Sequence, residues 1–518
     1  MNTSVALVLL VGLVYTAASN GGQAPLVQTR LGPVVGTRLS ERGSIVNAYL
    51  GIPFAVPPVG ERRFLKPVPA EPWKGTLHAT SQNKGCVQTD MPITPKVSFD
   101  MSETKEDCLY LNVWVPERAC DDDKNKAKDS CDKLLPVFVF IYGGFFGWGS
   151  TSLFVYDGVH FAARSKLIVV TFNYRLNVFG FLNASSPVAP GNMGLYDQVE
   201  ALRWIRDNIR AFGGDPDSVT VAGQSAGAIS ASYHMMSDLS KGLFKRAALL
   251  SGAPSTIAYS YFVDQLENIR SISHVFNCTD FTKTWKSQIT DAVSCLRRVE
   301  SQTLANKLLK ELTFRYLTVL PAYGDNFLPN SPIDNENIEL NIKEVFMGTT
   351  SNEGDLLMIM FRGRSGLGSE DMDAQTMMLV SLKLLFNMSF SKGRTFAAEY
   401  LTEKDNVTTL RELSRAIGDA GFECPADLFA SVAAERNLSV YRYLYDYRSS
   451  VSFWDDWVGA THNDDLPFFL GGVHTTVQAL NNKQNKKVLP LIKDFPTEEE
   501  YEFSDELIDA LAEFCRSG

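Results

Sequence analysis

The sequence predicts an α/β fold built on a mostly parallel sheet, and three observations carry that prediction. Residues 135–142 and 167–174 are near-continuous apolar runs rich in β-branched and aromatic side chains, as in strands buried on both faces. Between residues 196 and 212, Val199, Leu202, Ile205, Ile209 and Phe212 recur at helical spacing, and Gly213-Gly214 stops the helix. A short β-branched strand, Val219-Thr220-Val221, then runs straight into Gly223-Gln224-Ser225-Ala226-Gly227 and a helix-forming segment over 226–236. Strand, helix, strand is the grammar of parallel βαβ units.

Taken in order, the chain opens with an apolar run over 5–15 that is too short to span a bilayer, followed by small residues Ala17, Ala18 and Ser19. This is the pattern of a signal peptide over 1–19, and it predicts a secreted protein. Alternating apolar positions around Gly32 and Gly36 predict an N-terminal hairpin, and the proline-rich stretch 53–72 predicts extended covering chain. After the Ser225 segment, 247–250, 344–348 and 440–447 read as further sheet strands separated by long helical inserts. One of these, 372–386, is a Met- and Leu-rich helix expected to serve as core. No internal repeat or linker divides the chain, so residues 20–518 are expected to form one large domain.

Composition excludes several classes. With 49 basic and 59 acidic residues the net charge is −10, which leaves no basic surface for a phosphate backbone, so nucleic acid is not an expected partner. No later stretch has the length of apolar sequence a membrane anchor needs. Eight cysteines suit an oxidising compartment. Their spacing favours three local bridges: Cys86 with Cys108, Cys120 with Cys131 around an acidic-basic loop, and Cys278 with Cys295. Sequons at Asn183, Asn277, Asn387, Asn406 and Asn437 fit a secreted glycoprotein.

The GxSxG pentapeptide between strand and helix has the context of a nucleophile elbow, a sharp turn that exposes the Ser225 hydroxyl with the Ala226 amide close behind as an oxyanion donor. A serine at neutral pH needs a base held by an acid. Of six histidines only His462 and His474 follow the strands where the chain order Ser, acid, His would put the base. His462 lies in a turn-rich loop beyond a predicted strand; His474 reads as surface loop. Glu353, directly after the 344–348 strand, is the candidate acid. Asp464 and Asp465 are rivals by proximity in sequence, but an acid adjacent in sequence need not point back at the ring, and they are read as residues that fix the histidine loop.

At this point the residues resemble the type-B carboxylesterase and cholinesterase family. The resemblance covers nearly the whole chain and rests on Glu106-Asp107-Cys108-Leu109-Tyr110-Leu111-Asn112, Asn173-Tyr174-Arg175-Leu176, Gly191-Asn192-Met193-Gly194-Leu195-Tyr196-Asp197-Gln198, Phe212-Gly213-Gly214-Asp215-Pro216, the GQSAG elbow and residues 459–467. It implies the α/β-hydrolase fold, a large mostly parallel central sheet with helices on both faces and long helical inserts. It implies Ser225 as nucleophile, Glu353 as acid and His462 as base, with an oxyanion hole at Gly143, Gly144, Phe145 and Ala226. The substrate is then a small-molecule ester, hydrolysed through an acyl-enzyme, and the chemistry needs no metal or organic cofactor. Arg63 with Glu106 and Arg175 with Asp197 match the family's structural ion pairs.

Three departures narrow the expectation. Gly143-Gly144-Phe145-Phe146 stands where the family usually has three glycines and a Phe; a negative φ at Phe145 is expected, with the two glycines absorbing the unusual dihedrals. Gln224 replaces the common Glu, as in juvenile hormone esterases. No Trp lies between Cys86 and Cys108, where cholinesterases place the one that binds choline, so an apolar ester is favoured over a choline ester. The resemblance also implies that the family usually continues some tens of residues past Gly518, and that the partner of Cys424 belongs to that tail, leaving Cys424 a free thiol. The alternatives are a juvenile hormone esterase-like enzyme and, from another class, a cholinesterase-like adhesion or binding protein without chemistry, against which the intact Ser225, Glu353 and His462 weigh.

Overall fold

The computed structural model describes residues 24–518 except 93–97, 100–103, 118–132, 257–264, 281, 312–318, 333–337, 365–373, 387, 402–405, 453 and 476–494. The expected signal segment, the Cys120–Cys131 bridge and Asn387 lie outside the described residues.

A nine-stranded sheet organises the molecule. In chain order its strands are β1 (Thr37–Glu41), β2 (Ser44–Pro53), β3 (Tyr110–Pro116), β4 (Leu135–Ile141), β5 (Ile168–Phe172), β6 (Gly214–Gln224), β7 (Arg246–Leu250), β8 (Glu344–Thr350) and β9 (Ser439–Tyr445). In space they lie β9-β8-β7-β6-β4-β5-β3-β2-β1. From β9 to β5 every neighbouring pair is parallel, and β3, β2 and β1 complete the sheet by antiparallel pairing. The parallel centre follows from the sequence: Val137 to Ile141 and Ile168 to Val170 are buried on both faces, which only helices packed above and below can accomplish. The expected N-terminal hairpin forms from Leu26–Gln28 and Pro33–Val35.

The helices that matter for the site are α1 (Val159–Ser165), α2 (Met193–Asn208), α3 (Ala226–Met236), α4 (Gly354–Arg364), α5 (Ala374–Phe386), α6 (Asn406–Gly418) and α7 (Glu498–Ser517). Helix α2 ends in a 3-10 turn over Ile209–Phe212 that Gly213, at φ 83°, terminates. Inserts α4, α5 and α6 pack on one another through Leu357, Met358, Met378, Leu382, Leu413 and Ile417, a second apolar cluster beside the main core. The expected core role of the Met- and Leu-rich helix is therefore observed.

Strand β4 pairs with β5 on one side and β6 on the other. The chain order thus reverses direction at β4, and the carboxyl ends of β4 and β6 flank a topological switch point, where α/β sheets open a crevice. Cys86–Cys108 and Cys278–Cys295 are disulfide-bonded. Cys424 is exposed, Cys515 is buried, and neither is bridged among the described residues.

Candidate active site

The loop after β6 is a strained turn. Ser225 has φ 55° and ψ −123°, an unusual conformation for a residue with a side chain, and its amide donates to Leu250 O at 2.8 Å. Helix α3 starts at the next residue. The turn can be this tight because a Cβ on Gly227 would stand only 1.9 Å from Ile141 O, so α3 crosses β4 closer than any other residue type allows. Ser225 sits at the positive end of α3, among the first-turn amides that lack an intrahelical acceptor, and that of Ala226 is one.

The loop after β4 comes up against the same turn. A Cβ on Gly143 would lie 2.9 Å from Ser225 Cβ and 2.6 Å from Gln224 O. Gly144 has φ 110°, and its carbonyl accepts from the amides of Gly147 (3.0 Å) and Trp148 (2.9 Å). Among the described residues none accepts from the Gly144 or Phe145 amide. One expectation is corrected here: Phe145 has φ 55°, not a negative value, and Phe146 follows at 57°. The Gly144 turn and the bond from Asn177 N to Phe146 O (2.7 Å) hold both residues in the left-handed region, and the two glycines do not relieve them. The Phe146 ring is fully buried, edge-on to Phe181. The Phe145 ring is partly buried and packs against Leu356 and Met360 of α4.

Glu353 follows β8. Its Oε1 accepts from Thr350 N at 2.8 Å, and its Oε2 lies 2.5 Å from His462 Nδ1. The histidine loop is tied to the glutamate loop at several points. Asn352 N donates to Ala460 O (3.0 Å), Leu356 N to Thr461 Oγ1 (3.0 Å) and Gly459 N to the buried Asp355 (2.8 Å). With Nδ1–H given to Glu353, His462 presents a bare Nε2, and the Gln224 amide stands 3.2 Å from it. Gln224, known from the sequence only as a departure, is thus the residue that links the Ser225 turn to the histidine. Phe422 lies against the His462 ring, 4.7 Å between centroids, a contact no sequence signal announces. Ser225, Glu353 and His462 are all buried.

Asp464 and Asp465 do fix the loop. Thr461 N donates to Asp464 (3.0 Å) and Tyr443 Oη to Asp465 (2.7 Å). Burial, with the Glu353 charge adding to it, pushes Asp465 up to about 6. His474 corrects a second expectation: it is buried, not on a surface loop, and its ring stacks on His160. Arg63 pairs with Glu106, and Arg175 with Asp197 at 2.7 Å, well away from Ser225 in role: both guanidinium groups also donate to backbone carbonyls. Asn277 and Asn437 are exposed, and Asn183 is partly buried. A cavity of about 800 Å³ opens at the other end of the strands, by Ile45, Leu135 and Ser218, and contains none of these residues.

A mixed sheet with a strained serine between strand and helix, and a histidine–carboxylate pair delivered by later strands, defines an α/β hydrolase, a serine hydrolase acting on carboxylic ester bonds. The model of the carboxylesterase family matches residues 23–518, and the chain belongs to that family. Among relatives, "Acetylcholinesterase-1" of Trittame loki is 33% identical over 482 residues, covering 90% of this chain and 85% of the relative. The acetylcholinesterase of Bungarus fasciatus is 34% identical over 519 residues, covering 95% and 78%. That of Danio rerio is 32% identical over 562 residues, covering 99% and 83%.

Proposed function

We propose that this chain is a secreted carboxylesterase of apolar esters, with Ser225 as nucleophile, His462 as base and Glu353 as the acid that orients it. The observation that carries the reading is the Glu353–His462 bond, which leaves Nε2 as the proton acceptor beside the Ser225 turn. In this reading His462 takes the Ser225 proton as the hydroxyl attacks the ester carbonyl, and the charged ring is stabilised by Glu353. The amides of Gly144, Phe145 and Ala226 hold the developing oxyanion at the end of α3. His462 then protonates the leaving alkoxide, and water repeats the sequence on the acyl-enzyme.

Apolar preference is supported by the Phe145 ring with Leu356 and Met360 beside the oxyanion loop. A choline ester is disfavoured although the relatives are named acetylcholinesterases: residues 86–108 contain no Trp, and Gln224 is uncharged, so a quaternary ammonium loses both an aromatic face and a negative charge. Secretion is supported by the two disulfides and by the N-terminal apolar run. Gln224 alone favours the narrower reading of a juvenile hormone esterase-like enzyme.

Turnover of p-nitrophenyl esters of increasing acyl length, beside acetylthiocholine and juvenile hormone, tests the proposal. Apolar acyl chains should be preferred, with acetylthiocholine a poor substrate. Efficient acetylthiocholine hydrolysis would refute the substrate class, and no ester turnover at all would return the chain to the adhesion or binding class.

A further inference from the structure

Phe422 is buried against the His462 ring, with centroids 4.7 Å apart and ring planes at 46°. The imidazole is otherwise held by two polar contacts, Nδ1 to Glu353 Oε2 at 2.5 Å and Nε2 to the Gln224 amide at 3.2 Å. The two nitrogens lie on opposite sides of the ring. Contacts at these two points therefore leave the tilt of the ring about the line joining them to its own side-chain torsions, and χ2 of a histidine is a broad one. A third contact, off that line, is needed to set the tilt. Phe422 supplies one.

The ring is carried by an irregular element. Helix α6 continues past Gly418 into a π turn over Asp419–Glu423, which leads into a helix over Cys424–Glu435. Pro425 gives a reason for the widening: it has no amide to offer the Gly421 carbonyl, so an unbroken α-helical ladder cannot run through this point. A π turn holds one residue more than an α turn, which re-aims the side chains around it, and such turns recur at functional sites. This one is tied down at both ends. Tyr400 Oη donates to Asp419 at 2.7 Å, and Thr349 Oγ1, near the end of β8, donates to the Glu423 carboxylate. Helix α6 is itself seated on the loop of the acid. A Cβ on Gly354 would collide with Ser414 O, and one on Gly418 would stand 3.5 Å from Glu353 Cβ. Phe422 also belongs to the apolar cluster formed by α4, α5 and α6.

We propose that Phe422 is a positioning residue for His462, and that the π turn sets the tilt at which Nε2 meets the Ser225 hydroxyl. The inference rests on the reading of His462 as the base and deepens it. Glu353 fixes one nitrogen and the tautomer; the Phe422 ring fixes the plane. The second role gains weight during turnover, when the serine hydroxyl and then the leaving oxygen replace Gln224 at Nε2 and Glu353 is left as the standing polar contact. Acid and aromatic ring stay in register because both are anchored at the same strand end. Glu353 is held by Thr350 N, and the turn that carries Phe422 is held by Thr349. A side chain that merely filled the core would serve as well in any rotamer that kept its volume, whereas this ring must stay on the imidazole to act.

Steady-state kinetics of the full chain on p-nitrophenyl acetate, butyrate and hexanoate, with thermal melting alongside, test the role. In Phe422→Ala, kcat should fall by about 10²-fold, the scale on which a misplaced catalytic group is felt, while KM stays near wild type. The factor should be the same for all three esters, because the ring touches the base and not the acyl chain. Phe422→Leu keeps apolar bulk in the cluster, so it should melt close to wild type and yet recover only part of the lost kcat. A folded Phe422→Leu or Phe422→Ala enzyme with wild-type kcat would overturn the proposal. So would a loss confined to KM or one that varies with acyl length, either of which would make Phe422 a wall of the substrate pocket. His462→Ala separates the two readings. Near wild-type turnover in that variant would remove the base itself, whereas an inactive His462→Ala beside full kcat in the Phe422 variants would remove only the positioning role.

Discussion

Gln224 Nε2 lies 3.2 Å from His462 Nε2. The nitrogen assigned to take the serine proton therefore already accepts a hydrogen bond, and the bond must be exchanged for the Ser225 hydroxyl when substrate binds. A neutral amide makes this exchange cheap, since the net worth of such a bond is about 1 kcal/mol. Gln224→Ala should thus change kcat by less than about tenfold. A loss as deep as that of Ser225→Ala would show that Gln224 acts in the chemistry itself.

Glu353 makes a sharper prediction. Its Oε2 faces His462 Nδ1 and its Oε1 is held by Thr350 N. In Glu353→Gln the amide oxygen can keep the Thr350 bond only by turning its NH₂ toward Nδ1, which favours the wrong tautomer. We expect kcat to fall by on the order of 10³–10⁴ with the fold intact. Ser225→Ala should lower turnover further, by on the order of 10⁶, and the double variant should be no worse than Ser225→Ala alone, since the residues act as a unit. Additive losses would remove one of them from the triad.

Phe145 and Phe146 share a left-handed backbone but differ in burial, which predicts opposite balances. At Phe145 a glycine relieves strain of about 1–3 kcal/mol and loses a partly buried ring worth a similar amount, so stability should change little. At Phe146 the fully buried ring against Phe181 is lost, at a cost of about 3–5 kcal/mol that strain relief does not offset. The Phe145→Gly enzyme should also accept a wider range of acyl chains. An unchanged acyl-length profile would show that the ring faces away from the substrate.

The two disulfides close loops of similar length, with separations of 22 and 17 residues, and loop entropy alone assigns each about 3 kcal/mol. Cys86 and Cys108 are both buried, next to Arg63 and Phe64, whereas Cys278 is only partly so. Removing the first pair to alanine should therefore cost more than removing the second, as read by denaturant unfolding. Alkylation and mass mapping should find Cys424 modified in the native protein and Cys515 only after unfolding.

What the sequence discloses and what it hides separate by range. The strands over 135–142 and 167–174 end within two residues of their expected limits, because burial on both faces leaves a continuous apolar run. Helix α3 spans the expected 226–236, since the elbow fixes its start. His474 was legible only as Gly-Val-His-Thr without periodicity; its burial is produced by His160 and Tyr501, which local pattern cannot bring together. The positive φ of Phe145 is likewise hidden, because a turn set by Gly144 and Asn177 overrides the steric preference of a bulky residue. The Gln224–His462 contact joins segments far apart in sequence and needs the sheet to exist first.

The last prediction concerns Asp465, which lies fully buried beside the site with Oδ1 unpartnered among the described residues and Oδ2 accepting from Tyr443. Burial, then the Glu353 charge, raises it to about 6, against about 3.9 in the unfolded chain. Between those values the folded protein binds more protons than the unfolded one, so stability falls as pH rises through the window from about 4 to about 6. The full contribution is about 3 kcal/mol, present below the lower value and lost above the upper. Asp465→Asn cannot titrate and keeps an acceptor for Tyr443, so its stability should decline less steeply over the same window. Melting temperatures of both proteins measured across that range should diverge toward acid pH, with wild type gaining relative to the variant. Parallel curves would mean that Asp465 is ionised in the folded protein throughout, and that the Tyr443 hydroxyl and the His462 loop compensate its burial.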